Sequence, residues 1–316
     1  MTMAHSHIFE GLVCPVCNSQ DFTHTDNQSV CSNCNSKFPI INNIPILINE
    51  ERSIFSFDDF INQKNLFFDI SNQGKFINKI AKLIPPLGRN WKSKTNFKNL
   101  RTRLLALDKR PKVLVLGGSI IGEGMQALLE EANITFIESD VSFGPRTQVV
   151  LDAHAIPYQD NYFDCVIAQA VLEHVVNPQK CVAEIHRVLK PKGFFYAETP
   201  FMQQVHGKAY DFTRFTRSGH RSLLRNFEEI ESGYVAGPGT AMAWTYEYLL
   251  LSIFGFSSKI NFLIKAWARI TGFWLPLLDL LAKWNTRSID AASGLYFLGS
   301  KSDYSLSDKE IIEYYK

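Results

Sequence analysis

The sequence predicts an α/β protein with a doubly wound sheet, preceded by a small cysteine-rich unit and carrying a helical insertion before its last strand. Three observations carry that prediction. Between Lys112 and Pro200 short apolar runs alternate with glycine-rich turns and helix signals, and acidic residues stand at the ends of two of the runs. Two Cys-x-x-Cys pairs lie in the first thirty-four residues, and about fifty-five residues rich in large apolar groups separate the last two strand candidates. The boundaries expected are residues 1–50 for the cysteine unit, 51–109 for a basic, partly helical linker, and 110–316 for the α/β domain, with the insertion at 237–291. A chain of 316 residues with 46% hydrophobic residues can bury a core of this extent.

The cysteine unit comes first. Cys14-Pro15-Val16-Cys17 and Cys31-Ser32-Asn33-Cys34 have the spacing at which four thiolates close a tetrahedral shell around Zn2+. A shell filled by protein leaves no position for a reactive water, so the predicted role is structural; about fifty residues are too few to hold together on their core alone. Cys165 and Cys181 fall in apolar patterns and read as buried thiols. Cysteines arranged for metal rather than for disulfides make the cytoplasm the expected setting, and the segment MTMAHSHIFEG has neither the basic start nor the apolar centre of a secretory signal.

In the linker, twelve Lys or Arg stand against one acid, Asp108, between Lys75 and Lys112, whereas the whole chain has a formal net charge of only +2. The stretch reads first as a solvated helix face and second as a surface for phosphates or anionic lipid heads.

The α/β domain opens on Lys112–Leu116, an apolar strand that breaks into Gly117, Gly118, Ser119, Ile120, Ile121 and Gly122. Glycines at such a turn let a ligand approach the backbone closely. The next run, Ile134–Ile137, ends in Glu138, Ser139 and Asp140, and places Asp140 where a nucleotide fold holds ribose hydroxyls. A third run ends at Asp152 and Ala153; Phe163–Ala168 and Phe194–Ala197 supply the fourth and fifth, and Glu228–Val235 and Gly294–Gly299 the sixth and seventh. That order points to a nucleoside-containing cofactor.

The stretches VLVLGG, ESD, DAHAIP, YFDCVIAQAVLEHV and EIHRVLKPKGFF resemble the class I S-adenosylmethionine (SAM) dependent methyltransferases of the type 11 group, over roughly residues 110–234 and a last strand near 295–300. The resemblance implies a seven-stranded Rossmann-like sheet, a methionine end lined by Gly117, Gly118 and Gly122, a ribose held by Asp140, and an adenine faced by Asp152 with Ala153 beside it. Two positions depart from the family pattern: Val115 stands where an acid is usual, and Ser119 where a glycine is usual. The run Lys37–Ile48 resembles the tail of the Trm112-like zinc ribbons, whose members include activators of methyltransferases. A loose G-x-G-x-x-A at Gly122, Gly124 and Ala127 raises a dinucleotide reading, but that fingerprint should begin at Gly117, where the first strand ends.

Methyl transfer from a sulfonium is an in-line displacement, so alignment is the protein's main task and few catalytic groups are needed. His174, after the fourth strand, is the candidate base; packing against the following helix is the alternative. His206 and Tyr210, in the pattern H-G-x-x-Y-D-F-x-R-F-T, are candidates for acceptor contact, and Asp211 with Arg214 is expected to pair and shape that loop. The insertion lacks any run of 18 apolar residues, so two or three amphipathic helices are expected, serving as a lid, a dimer surface or, through 244–284, a peripheral membrane contact. The resulting expectation is a SAM-dependent methyltransferase acting on a small, lipid-linked or glycan-type acceptor. The alternatives are an RNA methyltransferase, motivated by the ribbon and the basic stretch, and a non-catalytic scaffold, motivated by Val115 and Ser119.

Overall fold

A computed structural model describes residues 6–62 and 86–315. Its eleven strands form one continuous order, β1-β2-β3-β4-β7-β6-β5-β8-β9-β11-β10. The ribbon supplies β1 (Phe22–His24), β2 (Gln28–Cys31), β3 (Lys37–Ile41) and β4 (Ile44–Leu47), and a short helix α1 (Phe57–Ile61) follows it. The α/β domain supplies β5 (Lys112–Leu116), β6 (Thr135–Asp140), β7 (Val149–Leu151), β8 (Phe163–Gln169), β9 (Leu189–Pro200), β10 (Phe227–Ala236) and β11 (Gly294–Lys301).

Strands β5 to β9 run parallel, and β11 inserts antiparallel between β9 and β10. The connection reverses direction in the sheet at β5 and β8, which opens a crevice at the carboxyl ends of those strands. Alternation along β5 shows why both faces are covered. Leu114 and Leu116 join the core shared with the ribbon, while Val113 and Val115 join the core beneath helix α2 (Ser93–Leu107) through Phe97, Leu100 and Leu104. Val115 is thus a buried packing residue in this chain.

Two expectations need correction. The α/β domain supplies the seven strands expected, β5 to β11, but the sheet of the described residues extends to eleven, because β4 of the ribbon pairs in parallel with β7 at Ile46↔Val150 and Leu47↔Leu151 and so covers an edge that would otherwise be open. The fifth strand begins at Leu189 rather than Phe194: Lys190–Gly193 is a bulge within it, with Lys192 at φ +63° and a register shift against β8.

The ribbon is joined to the α/β domain by more than one strand. Val13 N–H donates to the Pro157 carbonyl at 3.0 Å, Gln159 N–H to that of Gly11 at 2.9 Å, and the buried Tyr158 hydroxyl to that of Ile8 at 2.9 Å. Cys14, Cys31, Phe38 and Leu47 lie in one hydrophobic cluster with Leu114, Ile137 and Val166. The basic stretch, as far as it falls on described residues, presents Lys94, Lys98 and Arg103 on the outer face of α2, the solvated reading; Lys75, Lys79 and Lys82 lie outside the described residues.

The insertion folds as α5 (Pro238–Phe254) and α6 (Ser258–Gly272), numbered after α3 (Pro178–Val188) and α4 (Arg217–Leu223), followed by short helical turns. Buried Asp279 accepts from Gly237 N–H at 3.0 Å, Gly239 N–H at 2.6 Å and the Thr240 hydroxyl at 2.7 Å, satisfying the amino end of α5. Arg269 on α6 donates to buried Glu247 on α5 at 2.8 Å. The outer face is apolar: Phe256, Leu263, Trp267, Leu281 and Trp284 are each more than three-fifths exposed. No helix among the described residues is long and apolar enough to cross a membrane.

Candidate active site

The residues that follow β5, β6, β7 and β8 converge on a cleft of about 380 Å³. At the end of β5 the chain must turn sharply beneath Val171. Gly117 does so at φ +69°, and a Cβ there would stand 2.7 Å from the Val171 Cγ2. Gly122 also lines the cleft; a Cβ on it would strike the Gln169 Oε1. Gly118 does not line it. Its N–H donates to the Ser139 carbonyl at 2.8 Å and its missing Cβ lets β6 approach, with Glu138 Cβ 3.2 Å from the built position, so its placement is that of a packing glycine.

Asp140, at the end of β6, accepts Ser119 N–H at 3.2 Å on Oδ2 and the Ser142 hydroxyl at 2.8 Å on Oδ1. Ser119 therefore holds the carboxylate by its backbone N–H, which any residue but proline could do. Asp152, after β7, accepts His154 N–H at 2.9 Å and Nδ1 at 2.6 Å on Oδ1, and the Ser53 hydroxyl at 2.5 Å on Oδ2. Burial alone would raise its pKa, but these donors outweigh burial and hold it below the ordinary carboxylate value. Ala153 completes this end of the wall. Ile54 and Phe55, which follow the ribbon, also line the cleft; no periodicity or motif in the sequence marks Ser53, Ile54 or Phe55 for this place.

A second cleft of about 260 Å³ adjoins the first, the two sharing Ala170 and His206. Glu123, Glu173 and Glu198 line it from the α/β domain, Thr240 and Trp244 from α5. Ala170 links the two at φ +55°, an uncommon conformation for a non-glycine residue, with its N–H donating to the Glu198 carbonyl at 2.9 Å. The Glu198 side chain accepts from the Ser93 hydroxyl at 2.7 Å, the Tyr196 hydroxyl at 2.6 Å and Gln169 Nε2 at 2.9 Å. Its pKa stays raised by burial, which those three donors offset in part.

His174 lines the first cleft and its Nδ1 donates to the Tyr210 carbonyl at 2.7 Å. Burial lowers its pKa and that carbonyl partly restores it, so the ring is neutral near pH 7. Glu173 beside it is fully buried, neither carboxylate oxygen has a hydrogen-bond partner, and burial pushes its pKa up to about 8. His206 meets His174 edge to face at 4.9 Å between ring centres. The predicted Asp211–Arg214 pair forms, and Arg214 also donates to the carbonyls of Gln203 at 2.9 Å and Gln204 at 3.1 Å, fixing the loop that carries His206. Burial would raise the Asp211 pKa; Arg214 and the N–H groups of Gly207 and His206 hold it well below the carboxylate range instead. Tyr210 is placed differently from the expectation. Its ring stacks on Phe55 at 6.2 Å and packs beside Phe60 and Ile46, and neither cleft has it in its wall.

At the other end of the chain the four Sγ atoms of Cys14, Cys17, Cys31 and Cys34 lie within 4.8 Å of one another, with Cys14–Cys34 at 3.7 Å and Cys17–Cys31 at 3.6 Å. Thiolates bound to zinc at about 2.3 Å in a tetrahedron stand about 3.8 Å apart, so the donor set and spacing fit that ion. Asn18 and Asn35, each at φ +59°, close the two knuckle turns.

Residues 123–197 match the family model described as "Methyltransferase domain". Among curated relatives, the ubiquinone/menaquinone biosynthesis C-methyltransferase UbiE of Hydrogenovibrio crunogenus is 40% identical over 89 residues, 28% of this chain and 35% of that protein. UbiE of Yersinia pestis is 28% identical over 106 residues, 30% of this chain and 42% of that protein. The chain thus spans between about a third and two fifths of the length of these relatives. Among solved structures, the complex between the Haloferax volcanii Trm112 methyltransferase activator and a methyltransferase matches at 16% identity, 69% of this chain and 92% of that one, with a TM-score of 0.41. A sarcosine dimethylglycine methyltransferase from Galdieria sulphuraria matches at 15% identity, 78% and 97%, with a TM-score of 0.43. Likeness at this level says nothing of the acceptor.

Proposed function

We propose, from the premise that this chain carries the class I SAM-dependent methyltransferase domain, that it transfers a methyl group from SAM to a small hydrophobic or lipid-linked acceptor met at a membrane surface. The observation that carries this reading is the pair of adjoining clefts: one has carboxylates at its β6 and β7 ends, the other is walled in part by the apolar insertion, and they meet at Ala170 and His206.

In the first cleft Asp140 would accept the ribose hydroxyls, Asp152 with Ala153 would face adenine, and the turn Gly117–Gly122 would admit the methionine end. SAM, when bound, supplies a methyl group activated on sulfonium. The chain's own residues align and enclose. Ser53 ties the post-ribbon segment to Asp152, so the ribbon closes the adenine end, and the Asp211–Arg214 pair holds His206 at the junction. His174, oriented by the Tyr210 carbonyl, presents Nε2 toward the same junction. The four cysteines would hold structural zinc, whose contribution is to fix the edge of the sheet on which this enclosure depends.

The choice of acceptor rests on the insertion. An apolar face carrying Trp267, Trp274 and Trp284 with Lys259, Lys265 and Lys283, on α6 and the turns after it, has the composition of an interfacial surface, and α5 of the same insertion contributes Thr240 and Trp244 to the second cleft. Incubation of the zinc-loaded chain with methyl-labelled SAM and membrane extract tests the reading. Label is expected in the organic phase and absent with an Asp140→Ala variant; label confined to RNA, or none at all, would support the RNA or scaffold alternative instead.

A further inference from the structure

We infer that Glu173, His174 and His206 form a second metal site, distinct from the cysteine site, taking a divalent first-row ion such as Zn2+ or Fe2+ at the junction of the two clefts. The inference deepens the proposed function, since that junction is where donor and acceptor would meet, but its evidence stands on this cluster alone.

One ligand atom from each of the three residues lies within 4.8 Å of the others. The Glu173 Oε1 is 3.7 Å from the His174 Nε2 and 3.8 Å from the His206 Nε2, too far for a hydrogen bond to either. The tautomers follow from the outer contacts. His174 Nδ1 faces the Tyr210 carbonyl at 2.7 Å and His206 Nδ1 faces the Gln204 carbonyl at 3.3 Å; a carbonyl can only accept, so both rings carry hydrogen on Nδ1. Each ring therefore carries its lone pair on Nε2, the nitrogen that stands 3.7 or 3.8 Å from the Glu173 Oε1.

A carboxylate oxygen and two imidazole nitrogens this close repel each other unless a proton or a metal cation lies among them, and a divalent ion can satisfy all three at once. The carboxylate is fully buried with both oxygens unpartnered, a placement that costs several kcal/mol for an ion left alone. Two imidazoles and one carboxylate, with each ring oriented by an oxygen acceptor behind it, are the donor set of catalytic zinc and non-haem iron sites. In a tetrahedral shell at about 2.1 Å the ligand atoms would stand about 3.4 Å apart, and the two distances from Glu173 Oε1, 3.7 and 3.8 Å, exceed this by a few tenths of an ångström. Among the described residues three protein ligands converge. The remaining positions face the acceptor cleft, which Glu173 and His206 line, and suit an oxygen of the acceptor.

The test keeps the ribbon loaded with Zn2+ and adds Co2+ to the full chain in the absence of SAM and acceptor, so methyl transfer plays no part. One equivalent is expected to produce visible d–d absorption without the near-ultraviolet thiolate charge transfer that cobalt in the cysteine site would give. Glu173→Gln and His206→Ala should each abolish that signal while retaining wild-type near-ultraviolet circular dichroism; His206 is on a partly exposed loop, so its variant guards against a folding failure of the first. Absence of cobalt absorption in the wild-type chain, or its persistence in both variants, would overturn the site. Increased stability of Glu173→Gln together with no cobalt binding would assign the cluster to a buried protonated acid instead.

Discussion

Replacing His220 with Leu should remove a large part of the chain's loss of stability in mild acid. His220 lies in α4, 4% exposed, with Phe215 at 6.1 Å and Phe297 at 6.2 Å between ring centres and its Nε2 without a partner. Burial, with Arg221 adding repulsion, lowers its pKa from 6.5 to about 4. Because the unfolded chain binds this proton at higher pH than the folded one, stability is complete above about pH 6.5 and falls as pH drops toward 4, below which the contribution levels off. With 1.36 kcal/mol for each tenfold change in proton affinity, a fall from 6.5 to about 4 makes the loss about 3 kcal/mol. The assay is urea unfolding of wild type and His220→Leu from pH 7 to pH 4. The wild type should lose about 3 kcal/mol more than the variant over that range, with carboxylate contributions cancelling in the difference. Parallel pH profiles would refute the reasoning, since they would mean that His220 is protonated, or water-exposed, in the folded chain.

Other predictions concern the site and its supports. Gly117→Ala should lose about 1–2 kcal/mol of stability from its left-handed backbone, and more from the contact with Val171, measurable by thermal unfolding, with weakened SAM binding. Removing zinc with a chelator, or Cys17→Ser, should lower the melting temperature of the whole chain in one transition rather than release an independent unit, since Cys14, Cys31 and Phe38 share a core with β5 and β8. Trp284→Ser with Leu281→Ser should reduce binding to anionic vesicles by about tenfold or more, as each side chain is worth about 1.5–3 kcal/mol when buried in an apolar phase. Sedimentation with such vesicles checks this, and unchanged binding would move the apolar face toward a protein partner.

Much of the α/β frame was legible because each strand is an apolar run ended by a residue of special chemistry: Gly117 after β5, Asp140 after β6, Asp152 after β7. The cysteine knuckles were legible for the same reason, since thiol spacing determines which metal shell can close. What the sequence does not show is long-range pairing. Nothing in Ile44–Leu47 says that it will lie beside Val149–Leu151, because parallel edge addition depends on a partner a hundred residues away. Hence the strand count, and the arrival of Ser53 and Phe55 at the cleft, were not foreseen. Tyr210 illustrates the converse: an aromatic residue in a polar loop is equally suited to a pocket wall or to stacking, and the position of Phe55 decides between them. Nothing in the sequence singles out Glu173, and it gains its interest when the fold buries both its oxygens beside two imidazoles.

The measurement closest to the central claim is calorimetric titration of the zinc-loaded chain with SAM and with S-adenosylhomocysteine. The account predicts one site per chain with affinity on the order of micromolar for both, weakened at least tenfold by Asp140→Ala through loss of a charge-assisted hydrogen bond. Absence of heat with either ligand, accompanied by no shift in melting temperature, would contradict the assignment of the first cleft and with it the proposed activity.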